Sequence, residues 1–247
     1  MIHKIKSPTL QLATTVAFFI MSLLLASSFT SCNISEGNTA HSEIQKQQSL
    51  IVVADDESIS TKSFPRPDTP LIRELCESVG NTGGTVVVYK IGNPSDQSGF
   101  RCTLQPVPEM NTDVMMEKQI EEKQAAAKIR QQNNEAIEKL LNEVQRFVFN
   151  DSLREPNTDL NGFFGKADVL LNEPQYKNYK RFVFVISDGI QSINNHDKPC
   201  SHHFKKTDFN LCLCGWKTAL PDTMEVMQFE SPKGFTEYIN HSLTSKY

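Results

Sequence analysis

The chain has 247 residues, with 25 Lys+Arg, 29 Asp+Glu and a formal net charge of -4. That length is ample for a sizeable core and for one or two domains. The 38% hydrophobic and 22% charged shares exclude wholesale disorder, and the acidic balance argues against nucleic acid as a partner, because phosphate binding needs a basic face.

The first element is a targeting segment over residues 1–31. His3, Lys4 and Lys6 make a basic start, and Val16 to Ala26 is an apolar run too short to span a bilayer comfortably. Small residues then lead to Ser31-Cys32. This arrangement resembles a bacterial lipoprotein signal, in which Cys32 is lipidated and becomes the new first residue. Ordinary secretory cleavage between Ala26 and Ser31 is the alternative. Residues 32–48 are polar and lack periodicity, so they read as a flexible tether. The expected location is therefore exported, at the bacterial cell envelope, with the lipid on Cys32 holding the chain to a membrane.

Residues 49–247 read as one folded domain. Leu50 to Ala54 is a buried parallel strand ending in Asp55-Asp56. Thr69-Pro70 predicts a helix start with Thr69 as cap, and Leu71, Ile72, Leu75, Cys76 and Val79 recur at helical spacing up to Gly80. Thr85 to Ile91 is a second strand, and Gly92-Asn93-Pro94 begins a turn. Phe100, Cys102 and Leu104 alternate with polar residues, which predicts a half-exposed antiparallel strand over residues 99–105.

Residues 113–149 predict a long helix, about 55 Å at 1.5 Å per residue. Its second half is amphipathic, with Ile137, Leu140, Leu141, Val144, Phe147 and Val148 on one face. Its first half is polar and reads as a solvated face or a partner-binding arm. Leu160, Phe163, Phe164, Ala167, Leu170 and Leu171 mark another helix. Arg181 to Ile186 is a central strand ending in Ser187-Asp188-Gly189. Phe209 to Cys214 and Met224 to Phe229 are two more strands, and Pro232 starts a last helix with Phe235, Tyr238, Ile239 and Leu243 inward. Alternating apolar strands and amphipathic helices predict an α/β fold. It is a doubly wound, mostly parallel six-stranded sheet with one antiparallel edge strand and a long helix in the middle.

Three segments put oxygen-bearing side chains at strand ends or helix starts: Asp56-Glu57-Ser58-Ile59-Ser60, Thr158-Asp159-Leu160 and Asp188-Gly189. In order and placement they resemble the metal-ion-dependent adhesion site of von Willebrand factor type A (vWA) domains. That pattern is D-x-S-x-S, a distant Thr, and then Asp. Asp56, Ser58, Ser60, Thr158 and Asp188 match it. The resemblance covers about residues 49–247 and implies a Rossmann-like vWA fold. Hydroxyls and carboxylates suit a hard cation, so the expected cofactor is Mg²⁺, with Mn²⁺ or Ca²⁺ as substitutes. The resemblance implies direct coordination by the hydroxyls and coordination largely through water by the two Asp. The cation then stays electron-poor and accepts an acidic side chain from a protein partner. That is binding, not catalysis, and no catalytic residue is expected.

This sequence has Ile59 where the family often has Gly, and residues 189–208 show no clear helix. Cys200, Cys212 and Cys214 are candidate disulfide partners, because export permits disulfides. Cys76 with Cys102 is another pairing, and buried free thiols are the alternative. A zinc site from these cysteines and His202 or His203 matches no common spacing. Trp216 reads as packing. Two other functions are open. One is a structural or scaffold protein acting through the helix 113–149 with an idle metal site. The other is a metal-dependent phosphatase built on Asp55-x-Glu57, Thr158, a Lys such as Lys180 and Asp188, although that chemistry wants Asp-x-Asp.

Overall fold

A computed structural model of the chain describes residues 47–92, 99–108, 115–150, 156–194, 196–205, 208–219 and 226–244. The signal over residues 1–31, Cys32, most of the tether, the Asn93-Pro94 turn and the first residues of two expected elements (113–114 and 224–225) lie outside these. Among the described residues, no helix is long and apolar enough to cross a membrane.

The elements run β1 (Ser49–Asp56), α1 (Thr69–Gly80), β2 (Gly84–Ile91), β3 (Phe100–Leu104), α2 (Met116–Phe147), α3 (Leu160–Leu171), β4 (Lys180–Ile186), β5 (Ile190–Ile193), β6 (His196–Pro199), β7 (Asn210–Cys214), β8 (Val226–Phe229) and α4 (Pro232–Thr244). Six strands form one sheet in the order β3-β2-β1-β4-β7-β8. All neighbours are parallel except β2 and β3, which are antiparallel. The expected sheet and its antiparallel edge are both present. The central strand β1 is buried along its whole length, which requires its unbroken apolar run. The edge strand β3 alternates, with Cys102 and Leu104 inward.

The period of two sorts the core into two layers. Ile51 and Val53 of β1, Val86 and Val88 of β2, Phe182, Phe184 and Ile186 of β4, and Cys212 and Cys214 of β7 face α1, α2 and α4. Leu50, Val52 and Ala54, with Val183, Val185, Leu211 and Leu213, face α3. On the first side Phe184 stacks on Phe235 of α4 with ring centroids 4.1 Å apart. Among the described residues, α3 is the one α-helix on the second side. Aromatic groups from the loops complete its cover: Tyr176, Phe204, Phe209 and Trp216 pack against the same cluster. Trp216 thus serves as packing, edge-on to Phe164.

Several local expectations need correction. The cap of α1 is Asp68, not Thr69; its Oδ1 accepts from the Leu71 N–H at 2.9 Å. The carboxylate reaches the exposed N–H groups of the first turn, while Thr69 and Pro70 already belong to the helix. The end of α1 is as expected: Gly80 is its last residue, and Asn81 is the C-cap. Phe147 is not inward: it is 39% exposed and stacks on Phe100 at 5.7 Å. The helix-free stretch after Asp188 contains an antiparallel hairpin, β5 with β6. Asn194 takes a left-handed φ of 53° in its turn, a conformation Asn tolerates.

The candidate disulfide of Cys200 with Cys212 or Cys214 does not form. All five described cysteines are free. Cys212 and Cys214 face the α1 side of the sheet, whereas Cys200 packs against the α3 side. The same separation takes the zinc set apart.

The polar first half of α2 is largely solvated, and its buried residues are Ala126, Asn133, Ile137, Leu140, Leu141 and Val144. Asn133 is the polar member. Its Oδ1 accepts from the Gln105 N–H at 3.0 Å, and its Nδ2 donates to the Gln105 carbonyl at 2.9 Å. Asn133→Ala removes both bonds and is expected to cost about 1–2 kcal/mol in urea unfolding. The exposed neighbour change Asn134→Ala is expected to stay within about 0.5 kcal/mol.

Candidate functional site

The chain enters the sheet at its centre, on β1. It moves outward to β2 and β3, then returns to the other side of β1 as β4. The strand order therefore reverses between β1 and β4. In open α/β sheets the crevice at the carboxyl ends of such strands is where ligands bind. Asp56 ends β1 there, and Ser187-Asp188 follows β4.

Alternation along β1 decides what each acid meets. Asp56 continues the row of Leu50, Val52 and Ala54 and turns to the α3 side. Asp55 continues the row of Ile51 and Val53 and turns to the α1 side. Asp56 is buried, and its carboxylate is a junction. Oδ1 accepts from the Ser58 N–H at 2.9 Å and from the Thr158 hydroxyl at 3.3 Å. Oδ2 accepts from the Ser187 hydroxyl at 2.6 Å. One carboxylate thus joins the loop after β1, the start of α3 and the end of β4.

The loop is held by its own hydroxyls. Residues Ile59–Thr61 form one 3₁₀ turn. Thr61 Oγ1 donates to the Asp56 carbonyl at 2.6 Å and lies 3.0 Å from the Ser58 carbonyl. The turn brings Ser58 and Ser60 side by side, with their Oγ atoms 3.0 Å apart. Ser58 is buried, while Ser60 and Ile59 are exposed at the mouth.

Thr158 is fixed by backbone pairing to the hairpin: its N–H donates to the Ser192 carbonyl at 2.7 Å, and Ser192 returns the bond at 3.0 Å. The next residue, Asp159, caps α3 by accepting from the Gly162 N–H at 2.8 Å. A Cβ at Gly162 would lie 2.1 Å from Asp159 Oδ2, so a larger residue there would displace the capping carboxylate. Asp188 Oδ1 accepts from the Ile190 N–H at 3.0 Å. Gly189 has φ of 81°, and a Cβ on it would strike Trp216 and Thr218.

Four of the five expected residues, Asp56, Ser58, Ser60 and Thr158, are thus linked by hydrogen bonds. Asp188 acts on Asp56 through its charge. The part of Ser187 was missed; the available signal was a serine directly before Asp188 at a strand end. The hairpin that holds Thr158 was missed too.

Burial pushes the Asp56 carboxyl above the ordinary carboxylate range. Hydrogen bonds from Ser187 and Ser58 oppose this rise, and the Asp188 carboxylate adds to it. Two neighbouring carboxylates with hydroxyls between them form an all-oxygen donor set, which fits a hard cation. Among the described residues, no group of three or more His, Cys, Asp or Glu is placed to hold a metal, so the oxygens of the serine and threonine hydroxyls would have to complete any such set.

Asp55 and Glu57 serve differently. Both are buried on the other side of the sheet and pair with Arg66. Arg66 Nε and Nη2 donate to Asp55 Oδ2 at 3.0 and 2.7 Å. The residues on either side of Asp56 are thereby tied to one guanidinium. The phosphatase set does not assemble. Asp55 faces away from Thr158, and Lys180 sits at the amino-terminal end of β4, opposite Ser49, with its Nζ on the Ser242 carbonyl.

No known protein-family pattern matches the chain, and no curated protein matches it. Among solved structures it is similar to the ArnB paralog VWA2 from Sulfolobus acidocaldarius, at 11% identity and a TM-score of 0.38, over 79% of this chain and 45% of that one. It is similar to proximal thread matrix protein 1 of the mussel byssus, at 10% identity and a TM-score of 0.37, over 80% and 48%. It is similar to an aerotolerance-related membrane protein from Bacteroides fragilis, at 13% identity and a TM-score of 0.33, over 79% and 98%. The chain spans under half the length of the first two and nearly all of the third. At this degree of likeness, neither the chemistry nor the partners of those proteins transfer to it.

The raised Asp56 pKa has a definite sign for stability. Folding disfavours the ionised form, so the cost is absent below the unfolded pKa and complete above the folded one. In chelator at pH 7, Asp56→Asn is expected to melt at a higher temperature than the parent. The difference should shrink as pH falls through about 4 and vanish below it, where the parent carboxyl is protonated in both states. A variant that melts lower at pH 7 would contradict this reading of the site.

Proposed function

We propose that the chain is a vWA-type domain that binds a divalent cation, Mg²⁺ first and Mn²⁺ or Ca²⁺ as substitutes. Ser58, Ser60 and Thr158 would hold the cation directly, and Asp56 and Asp188 through water. The cation supplies an open, electron-poor coordination position that takes an acidic side chain from a protein partner. The observation that carries this reading is the Asp56 carboxylate at the switch point, hydrogen-bonded to the Ser58 and Thr158 segments at once. The charge of the neighbouring Asp188, which a cation would relieve, also supports it. Ile59, 63% exposed between the two serines, would add an apolar contact beside the incoming acid.

Lipid on Cys32 would hold this domain at the cell envelope, and the basic start, apolar run and Cys32 support that part. A scaffold role through α2 is the second reading. The exposure of Met115 (84%) and Met116 (77%) at the amino-terminal end of that helix favours it.

Calorimetric titration of Mg²⁺ and Mn²⁺ into the purified protein tests the metal. Saturable binding is expected in the parent, weakened at least about tenfold in Asp56→Ala. Affinity should fall as pH drops, because protons compete for Asp56. A folded parent that takes up neither ion would sink the metal reading and leave the helix. For the anchor, detergent-phase partitioning of the expressed full chain should be lost in Cys32→Ala; unchanged partitioning would argue against lipidation.

A further inference from the structure

Five described cysteines are free, and their placement is unequal. Cys76 is fully buried on the inward face of α1, in the same row as Ile72 and Val79. Cys102 is on the inward side of β3, opposite Val86 in register. Both belong to the core cluster between the sheet and α1, α2 and α4. There the Cys76 and Cys102 side chains are hydrogen-bonded to each other.

The other thiols lack such a partner position. Cys212 and Cys214 stand two apart on β7 and point the same way, about 6.7 Å apart at Cα, at the outer limit for a cystine. β7 is four strands from β3, about 19 Å across the sheet. Cys200 lies on the far side of the sheet.

We propose that Cys76 and Cys102 are a disulfide site, and that their cystine fastens α1 to the antiparallel edge strand. The chemistry is exchange with a disulfide oxidant. The Cys102 thiolate attacks one sulfur of the oxidant, forms a mixed disulfide and expels one thiolate. Cys76 then loses its proton and attacks the Cys102 sulfur, expelling the second. Two protein thiols become one cystine while the oxidant's disulfide becomes two thiols, so electrons balance. The hydrogen bond from Cys76 draws the Cys102 thiol down and pushes Cys76 up, which makes Cys102 the first nucleophile. Burial raises the others, Cys212 to about 12. Both sulfurs are covered in the folded state. Oxidant reaches them during folding or when the edge strand lifts, since edge elements open at lower cost than the sheet centre.

The test uses the full chain, reduced, held in mild detergent and exposed to oxidised glutathione. The sample is quenched in acid, unfolded, alkylated and mapped by peptide mass. The expected product is a joined pair of peptides carrying Cys76 and Cys102, two hydrogens lighter than the reduced pair, and reversed by reductant. The melting temperature should rise by roughly 5–10 °C on oxidation. In Cys102→Ser, Cys76 should remain fully alkylated. Alkylation of both thiols in the oxidised parent, a persistent glutathione adduct on either, or a cystine joining another pair would overturn the proposal. A joined pair without any rise in melting temperature would overturn the fastening role. If Cys102→Ser does not fold, the parent's peptide map decides alone.

Discussion

Side-chain alternation along β1 is the constraint on which the rest depends. Asp55 and Asp56 end that strand, the pleat sends them to opposite sides of the sheet, and Glu57 follows just past it. Asp56 turns toward α3 and meets Ser58, Thr158 and Ser187. Asp55 and Glu57 turn toward Arg66. A slip of one residue would exchange these environments, burying Asp56 against a guanidinium and leaving the hydroxyl cluster without its carboxylate. What opposes a slip is the strand end, where it would take Asp55 from Arg66 and Asp56 from its three donors.

Burial on both sides of β1 makes the site rigid and also makes it costly. An ionised carboxylate inside the protein is disfavoured unless its lone pairs are met, and here three donors converge on Asp56. Two of those donors come from segments far away in sequence. The arrangement therefore exists only in the folded chain, and folding cannot finish without placing the loop, the helix start and the strand end against one another. On the opposite side, Arg66 performs a matching task for the acids flanking Asp56.

Much of this was legible in the residues. The apolar run of β1, the alternation of Phe100, Cys102 and Leu104, and the helical spacing of α1, the second half of α2, α3 and α4 each report a local period that packing then respects. The strand-end positions of Asp56 and Asp188 followed from the same periods. The hairpin did not, because Ile190 to Pro199 is short, polar and half-solvated, so its pairing depends on Thr158 and Ser192 and not on a buried face. The cap of α1 was misplaced by one residue because Asp68 and Thr69 are both good caps, and only the carboxylate's reach to Leu71 separates them. The expected disulfide failed because spacing along the chain carries no information about which side of a sheet a loop cysteine will cover.

The side chain of Asn133 has a wider consequence. It occupies both the donor and the acceptor of Gln105, just past the end of β3, in the manner of a neighbouring strand. Pro106 and Pro108, which offer no N–H, follow at once. On the other rim of the sheet, the described part of β8 is four residues long. Among the described residues, neither border of the sheet therefore presents a long ladder to a second copy of the chain. A border blunted in this way offers less of a template for pairing with a second chain.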